Sequence, residues 1–155
     1  MSCTHSCGGC CCRQTPCAAA LSAPERALLQ EFAQMPFLPL ARFMLASSHG
    51  HHALSVALAP VYLHQPDEPL DAIKRTGALL LTLQDKGLIR LDYDIPLQGY
   101  DDQTYRCSAA FRQLEEAVEE GSRKPGFLFD RAVLELGSMA LTALGCDTVE
   151  ELSFL

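Results

Sequence analysis

Six of the eight cysteines of this chain lie within its first 17 residues. They are Cys3, Cys7, Cys10, Cys11, Cys12 and Cys17. The first three are spaced C-x3-C-x2-C, which keeps three thiols within reach of one metal centre, and a later cysteine can supply a fourth ligand. Soft thiolates select zinc, copper(I) or an iron–sulfur cluster. The pattern predicts that these six residues bind an iron–sulfur cluster or zinc.

The uneven distribution of the cysteines along the chain also argues against a disulfide scaffold. A disulfide scaffold would spread its cysteines through the fold, whereas clustering in a reducing compartment indicates metal or redox chemistry. The competing interpretation is a disordered, thiol-rich tail that binds metal only adventitiously. The first three cysteines share the spacing of radical S-adenosylmethionine enzymes, but 155 residues leave no room for the barrel of those enzymes. Cys107 and Cys146 are interpreted as small core residues.

Histidines and aspartates form two further candidate metal sites. The histidines are His49, His51 and His52, with His5 and His64 elsewhere; the aspartates are Asp92, Asp94, Asp101 and Asp102. We interpret the histidine cluster as a polar surface loop that could add a ligand to the cysteine site. Strand alternation predicts that the first two aspartates face solvent. No Ser/His/Asp arrangement, phosphate loop or paired acid–base motif stands out, so we do not predict an enzyme.

Composition and charge narrow the class of protein. The chain has 155 residues, of which 48% are hydrophobic, enough for one packed domain with a short appendage. Its net charge of −7 gives no general attraction to nucleic acid, so DNA binding would need a local basic face. No apolar run approaches the roughly 20 residues of a membrane span, and the N-terminus does not have the pattern of a secretory signal. We therefore expect a cytoplasmic protein.

Local patterns are clearest between Leu70 and Glu120. Apolar residues three or four apart predict a helix from Leu70 to Lys86, and Gly87 suits the left-handed exit from it. Alternation then predicts a strand from Leu88 to Ile95. The predicted elements that follow are a hairpin tip over Pro96–Gln103, a returning strand over Thr104–Cys107, and a helix over Ala109–Glu120 capped by Ser108.

On either side of Leu70–Glu120, the sequence predicts some elements more clearly than others. Ser22 and Glu25 form a capping box that opens a first helix running to Met35. Leu40–Ala46 and Ala53–Leu63 are apolar runs that suit a helix or a strand equally. The C-terminal predictions are an apolar helix over Asp130–Leu144 and a short last helix opened by a capping box at Asp147–Glu150.

The order helix, Gly-Leu-Ile exit, strand, hairpin, strand and helix resembles the second half of a winged helix-turn-helix domain. The resemblance rests on Leu79–Arg90, on Tyr105–Ser108 as the returning strand, and on Phe111–Val118 as the next helix. It implies an α+β fold, a mostly helical winged helix-turn-helix domain with a small β-hairpin wing and extra C-terminal helices. The predicted domains are a Cys-rich metal-binding or cluster-binding segment (1–20), a winged-helix-like domain (21–121) and a C-terminal helical extension (122–155).

The resemblance also assigns candidate DNA contacts. In the family, the helix over Leu70–Lys86 is the recognition helix, which implies Lys74, Arg75 and Thr76 as nucleic-acid-binding residues. The segment from Leu91 to Arg106 carries four acids and one base, however, and a wing of that sign would repel phosphates. Winged-helix domains also serve as protein-docking and dimerisation modules.

Two function hypotheses follow. The first is a winged-helix transcription regulator whose Cys-rich N-terminus binds a metal or iron–sulfur cluster and senses metal or redox state. The alternative is an accessory protein that does not bind DNA and delivers metal or electrons to a partner enzyme. The apolar segment Phe127–Leu155, together with the family's habit of dimerising through flanking helices, predicts a homodimer. This segment could instead fold over Ala53–Leu63 and complete a monomer core.

Overall fold

The computed structural model describes residues 20–48 and 54–153. A curled antiparallel sheet with strand order β2-β1-β4-β3 lies at its centre. Its strands are β1 (Phe37–Ala46), β2 (Leu54–Val61), β3 (Ile89–Asp92) and β4 (Arg131–Leu141). The helices are α1 (Ala23–Gln34), α2 (Leu70–Asp85), α3 (Gln103–Arg106), α4 (Ala109–Ser122) and α5 (Ala143–Ser153).

The predicted helix caps at Ser22 and Ser108 are confirmed. The Ser22 hydroxyl accepts a hydrogen bond from the Glu25 N–H at 3.3 Å, and the Glu25 carboxylate accepts one from the Ser22 N–H at 2.8 Å. The Ser108 hydroxyl accepts from the Phe111 N–H at 3.1 Å and so opens α4. Gly87 follows α2 with φ of 77°, the left-handed conformation that glycine adopts without a steric penalty.

The two long strands β1 and β4 form the middle of the sheet, paired from Phe37↔Ala140 to Ala46↔Arg131. Because side chains alternate between the faces of a strand, β1 contributes to two hydrophobic clusters. Leu38 and Leu40 pack in one cluster with residues of α1, α2 and α5. Ala41 and Phe43 pack in the other with Ile73 of α2 and with residues of α3 and α4. The α2 helix therefore contributes to both cores.

The prediction of a mostly helical winged-helix fold is wrong. The segment predicted as a helix over Asp130–Leu144 contains β4, which pairs with β1 and β3. It is apolar on both faces because Leu134 and Leu136 pack in one hydrophobic cluster and Met139 in the other. Periodicity cannot separate such a strand from a buried helix. The predicted returning strand over Thr104–Cys107 falls largely in the short helix α3, so it forms no wing with β3.

The apolar C-terminal segment has a role within the chain. The predicted domain boundary at 121/122 falls inside the last turn of α4, and β4, which lies beyond that boundary, pairs with β1, which lies before it. Met139, one of its most apolar positions, is 1% exposed. The exposed apolar helix on which we based the homodimer is therefore not formed, and the dimer stays a prediction without that support. The last helix, α5, begins at Ala143, and Asp147 lies inside it rather than capping it.

Tyr105 of α3 joins this helix to the chain after β2. Its side chain is fully buried, and its phenol oxygen accepts a hydrogen bond from the Leu63 N–H at 3.1 Å. Phenylalanine would keep the ring but leave that N–H unpaired in the core. We expect Tyr105→Phe to lower the free energy of unfolding in urea by about 1–2 kcal/mol. Tyr100→Phe, at a ring 37% exposed, is the control, and equal effects of the two would contradict this role.

Candidate functional site

The predicted cysteine site lies outside the residues that the structure describes. The same holds for His5, His49, His51 and His52. Among residues 20–48 and 54–153, no group of three or more His, Cys, Asp or Glu side chains is arranged to hold a metal ion. Metal binding by the six N-terminal thiols stays a prediction from their spacing.

Cys107 and Cys146 are exposed and unpaired thiols, so the prediction that they belong to the core is wrong. Cys107 directly follows α3, and its thiol lies 3.3 Å from the Gln103 side-chain oxygen. In α5, the buried residues Gly145, Thr148 and Leu152 define the inner face. Cys146 comes one position after Gly145 and so points away from that face.

The candidate DNA contacts Lys74, Arg75 and Thr76 do not converge on one surface. Lys74 lines a cleft between α2, β2 and α4. Arg75 and Thr76 line a different groove, which they share with Pro24 of α1. Two basic side chains that open onto different grooves do not make the continuous face that a recognition helix presents to DNA. Their contact with nucleic acid stays a prediction, and the predicted returning strand of the wing is a short helix instead.

The cleft that contains Lys74 is mostly apolar and has a volume of about 230 Å³. Its lining residues are Phe43, Ala57, Leu58, Leu70, Lys74, Ala110, Gln113 and Leu114. Helical spacing explains how each helix contributes, because Leu70 and Lys74 are four residues apart on α2 and Ala110 and Leu114 are four apart on α4. Phe43 is 1% exposed, and its ring packs edge-on against Phe111 at 5.0 Å.

The structure brings together a polar cluster that local sequence patterns did not predict, formed by Glu31, Tyr62, His64 and Glu68. The Tyr62 hydroxyl donates to Glu31 at 2.7 Å, and His64 Nε2 lies 2.9 Å from the same Glu31 oxygen. His64 Nδ1 lies 3.8 Å from Glu68. Burial, and then the hydrogen bond to Glu31, raise the pKa of Tyr62. Because Glu31 of α1 contacts both Tyr62 and His64, this cluster ties α1 to the segment between β2 and α2.

The outer face of α4 is strongly acidic. Its exposed carboxylates are Glu115, Glu116, Glu119 and Glu120. Glu115 and Glu119 also line a groove that continues to Arg131 of β4. Only Glu119 has an ion-pair partner within the described part of the chain, Arg123 at 3.1 Å, and that pair is fully solvated. The surface therefore keeps a net negative charge that a basic partner can neutralise.

Comparison with known proteins does not assign this chain to a family. No family model matches it, and no curated protein matches it in sequence. A solved structure of an uncharacterized protein from the hydrocarbon-degrading marine bacterium Alcanivorax borkumensis SK2 is similar, with a TM-score of 0.45 and 13% identity, covering 88% of this chain and 89% of that chain. No helix among the described residues is long and apolar enough to cross a membrane.

Proposed function

We propose that this protein is an accessory protein that carries a thiolate-bound metal or iron–sulfur cluster to a partner enzyme. The observation that carries the proposal is the placement of six cysteines in the first 17 residues, three of them spaced C-x3-C-x2-C. Thiolates at that spacing share one soft metal centre. The hydrophobic core formed by residues 20–48 and 54–153 contains no cysteine.

The short distance in sequence between the thiols and the domain supports delivery rather than storage. Cys17 comes five residues before Ser22, the residue that caps α1. Five residues span at most roughly 17 Å when fully extended. A metal that Cys17 helps to bind therefore stays close to the N-terminal end of α1, and a partner that receives it must approach that end of the domain.

The charge of the domain favours a basic partner. The chain carries a net charge of −7, and the outer face of α4 presents four glutamates to solvent. Such a surface attracts a positively charged protein and repels the phosphates of nucleic acid. We therefore favour protein docking over operator binding.

Metal analysis of protein purified without oxygen tests the proposal. We expect stoichiometric zinc or iron, with thiolate-to-metal absorption if iron is bound. Replacing the six N-terminal cysteines with serine should abolish this metal, because serine is a poor ligand for soft metals. The matched control is the double variant Cys107→Ser, Cys146→Ser, which removes the two exposed thiols of the domain and should keep the metal.

Stripping the metal with a chelator gives a second readout. Because the core of the described residues contains no cysteine, we expect the free energy of unfolding to change by less than about 0.5 kcal/mol. A metal-free wild-type protein after anaerobic purification, or metal that persists in the six-serine variant, would remove the proposal. Collapse of the fold on chelation would show instead that the metal is structural.

A further inference from the structure

The cleft between α2, β2 and α4 has the composition of a binding site for a small amphiphilic molecule. Its base is hydrophobic and buried, since Phe43 and Ala110 are 1% and 8% exposed. Leu58 of β2 and Leu114 of α4 add apolar walls. Small-molecule sites are typically apolar concavities with a few polar groups that fix orientation. Here the only polar side chains of the lining are Lys74 and Gln113.

The charge of Lys74 is not neutralised within the described part of the chain. The chain has three lysines, and Lys86 pairs with Glu25 at 3.0 Å. Lys74 makes no such ion pair, although Asp71 stands one helical turn before it. A lysine stem packs along apolar surface while its ammonium stays at the edge. The cleft therefore combines an apolar interior with one available positive charge.

We infer that this cleft binds a small aliphatic carboxylate, with its hydrocarbon chain against Phe43 and Leu58 and its carboxylate on the Lys74 ammonium. A charge-assisted hydrogen bond of this kind is stronger than a neutral one. The Gln113 amide supplies a second donor at the same cleft. A volume of about 230 Å³ corresponds to about eight water-sized groups at roughly 30 Å³ each, which selects a medium-length chain such as octanoate. The inference does not depend on metal binding by the cysteines.

Titration with octanoate, followed by amide NMR, tests the inference. We expect saturable shifts centred on the cleft residues of α2, β2 and α4. The neutral analogue 1-octanol should bind at least about tenfold more weakly, since it lacks the charge. Lys74→Met should weaken octanoate binding by a similar factor. Lys124→Met removes a lysine near the end of α4 and should leave the affinity unchanged.

Chain length and cleft volume give an independent readout. Each methylene added from butanoate to octanoate should improve the affinity about fourfold while it still finds apolar surface. Filling the cleft with Ala57→Phe should abolish binding, whereas Ala117→Phe, at an exposed position of α4 outside the lining, should not.

Three results with these variants and ligands would overturn the assignment, and the location of the shifts gives a fourth. They are the absence of saturable shifts in the wild-type protein, equal affinity of the Lys74→Met variant, and equal affinity for 1-octanol. The amide spectrum of each variant reports its fold directly, so a loss of binding is not confused with unfolding. If octanoate instead shifts residues remote from α2, β2 and α4, the site lies elsewhere and the inference is wrong.

Discussion

Replacing Gly145 with alanine is expected to lower the free energy of unfolding by about 3 kcal/mol. An added methyl group at this position in α5 would overlap the Leu88 carbonyl oxygen, well inside the 3.0 Å that real β-carbons keep. Both sides of this contact are rigid backbone. Thr142 fixes the start of α5 against the α2–β3 connection, because its N–H donates to the Leu88 carbonyl at 3.0 Å and its hydroxyl donates to the Gly87 carbonyl at 2.6 Å.

Gly121 of α4 provides a matched control for that substitution. A methyl group there would lie 2.9 Å from the ring of Phe127, a side chain that is 41% exposed and can rotate away. Alanine is favoured over glycine in a helix by up to about 1 kcal/mol. Gly121→Ala should therefore be neutral or stabilising in urea denaturation. Similar small effects at both glycines would show that α5 does not pack against Leu88 as closely as the structure indicates.

Replacing Lys86 with methionine is expected to destabilise the protein by about 2 kcal/mol. The Lys86 ammonium lies 3.2 and 3.0 Å from the two carboxylate oxygens of Glu25, whose side chain is 7% exposed. Removing one partner of a buried ion pair leaves an uncompensated charge, which costs about 3–5 kcal/mol when both partners are buried. The expected value is smaller here because the Lys86 side chain is 32% exposed.

The pH dependence of stability should report the same pair. Burial by itself raises the pKa of Glu25, but the hydrogen bonds from Ser22 and the contact with Lys86 together outweigh it, and the pKa is lowered from 4.5. The carboxylate therefore contributes stability that is complete above pH 4.5 and is lost as the pH falls through the lower folded value.

The neutral variant Glu25→Gln isolates this contribution. Its difference in unfolding free energy from the wild-type protein should be largest near pH 7 and should shrink as the solution is acidified. Urea denaturation at several pH values measures it. A difference that is constant, or that grows toward low pH, would contradict the assigned direction of the pKa shift.

Local signals in the sequence determined the helices that begin at a polar cap. Ser22 with Glu25, and Ser108 with the Phe111 N–H, form contacts that span only three residues. The similar pattern at Asp147–Glu150 caps no helix, because α5 has already begun at Ala143. Gly87 likewise ends α2 because only its own backbone must turn left-handed. The clustering of six thiols is also readable without a fold, since their ligand chemistry depends on spacing along the chain.

Long-range pairing decided the rest of the architecture. Arg131–Leu141 is apolar enough for a buried helix or a buried strand, and it becomes a strand because β1, far away in sequence, supplies its hydrogen bonds. Thr104–Cys107 is predicted as a strand, but most of it lies in a short helix, where Tyr105 is buried against the Leu63 backbone. The winged-helix fold prediction is wrong because the returning strand that it requires over Thr104–Cys107 is not formed.

The candidate sites also differ in whether the sequence alone could predict them. The thiol cluster is contiguous and could be recognised from its sequence. Glu31, Tyr62 and His64 come together only when α1 packs beside the end of β2. The sequence predicts Lys74 as one of three neighbouring DNA contacts on a helix. In the structure, packing of α2 against β2 and α4 places it in the lining of an apolar cleft. Side chains that are far apart in sequence can form one site only after the sheet and helices have brought them together.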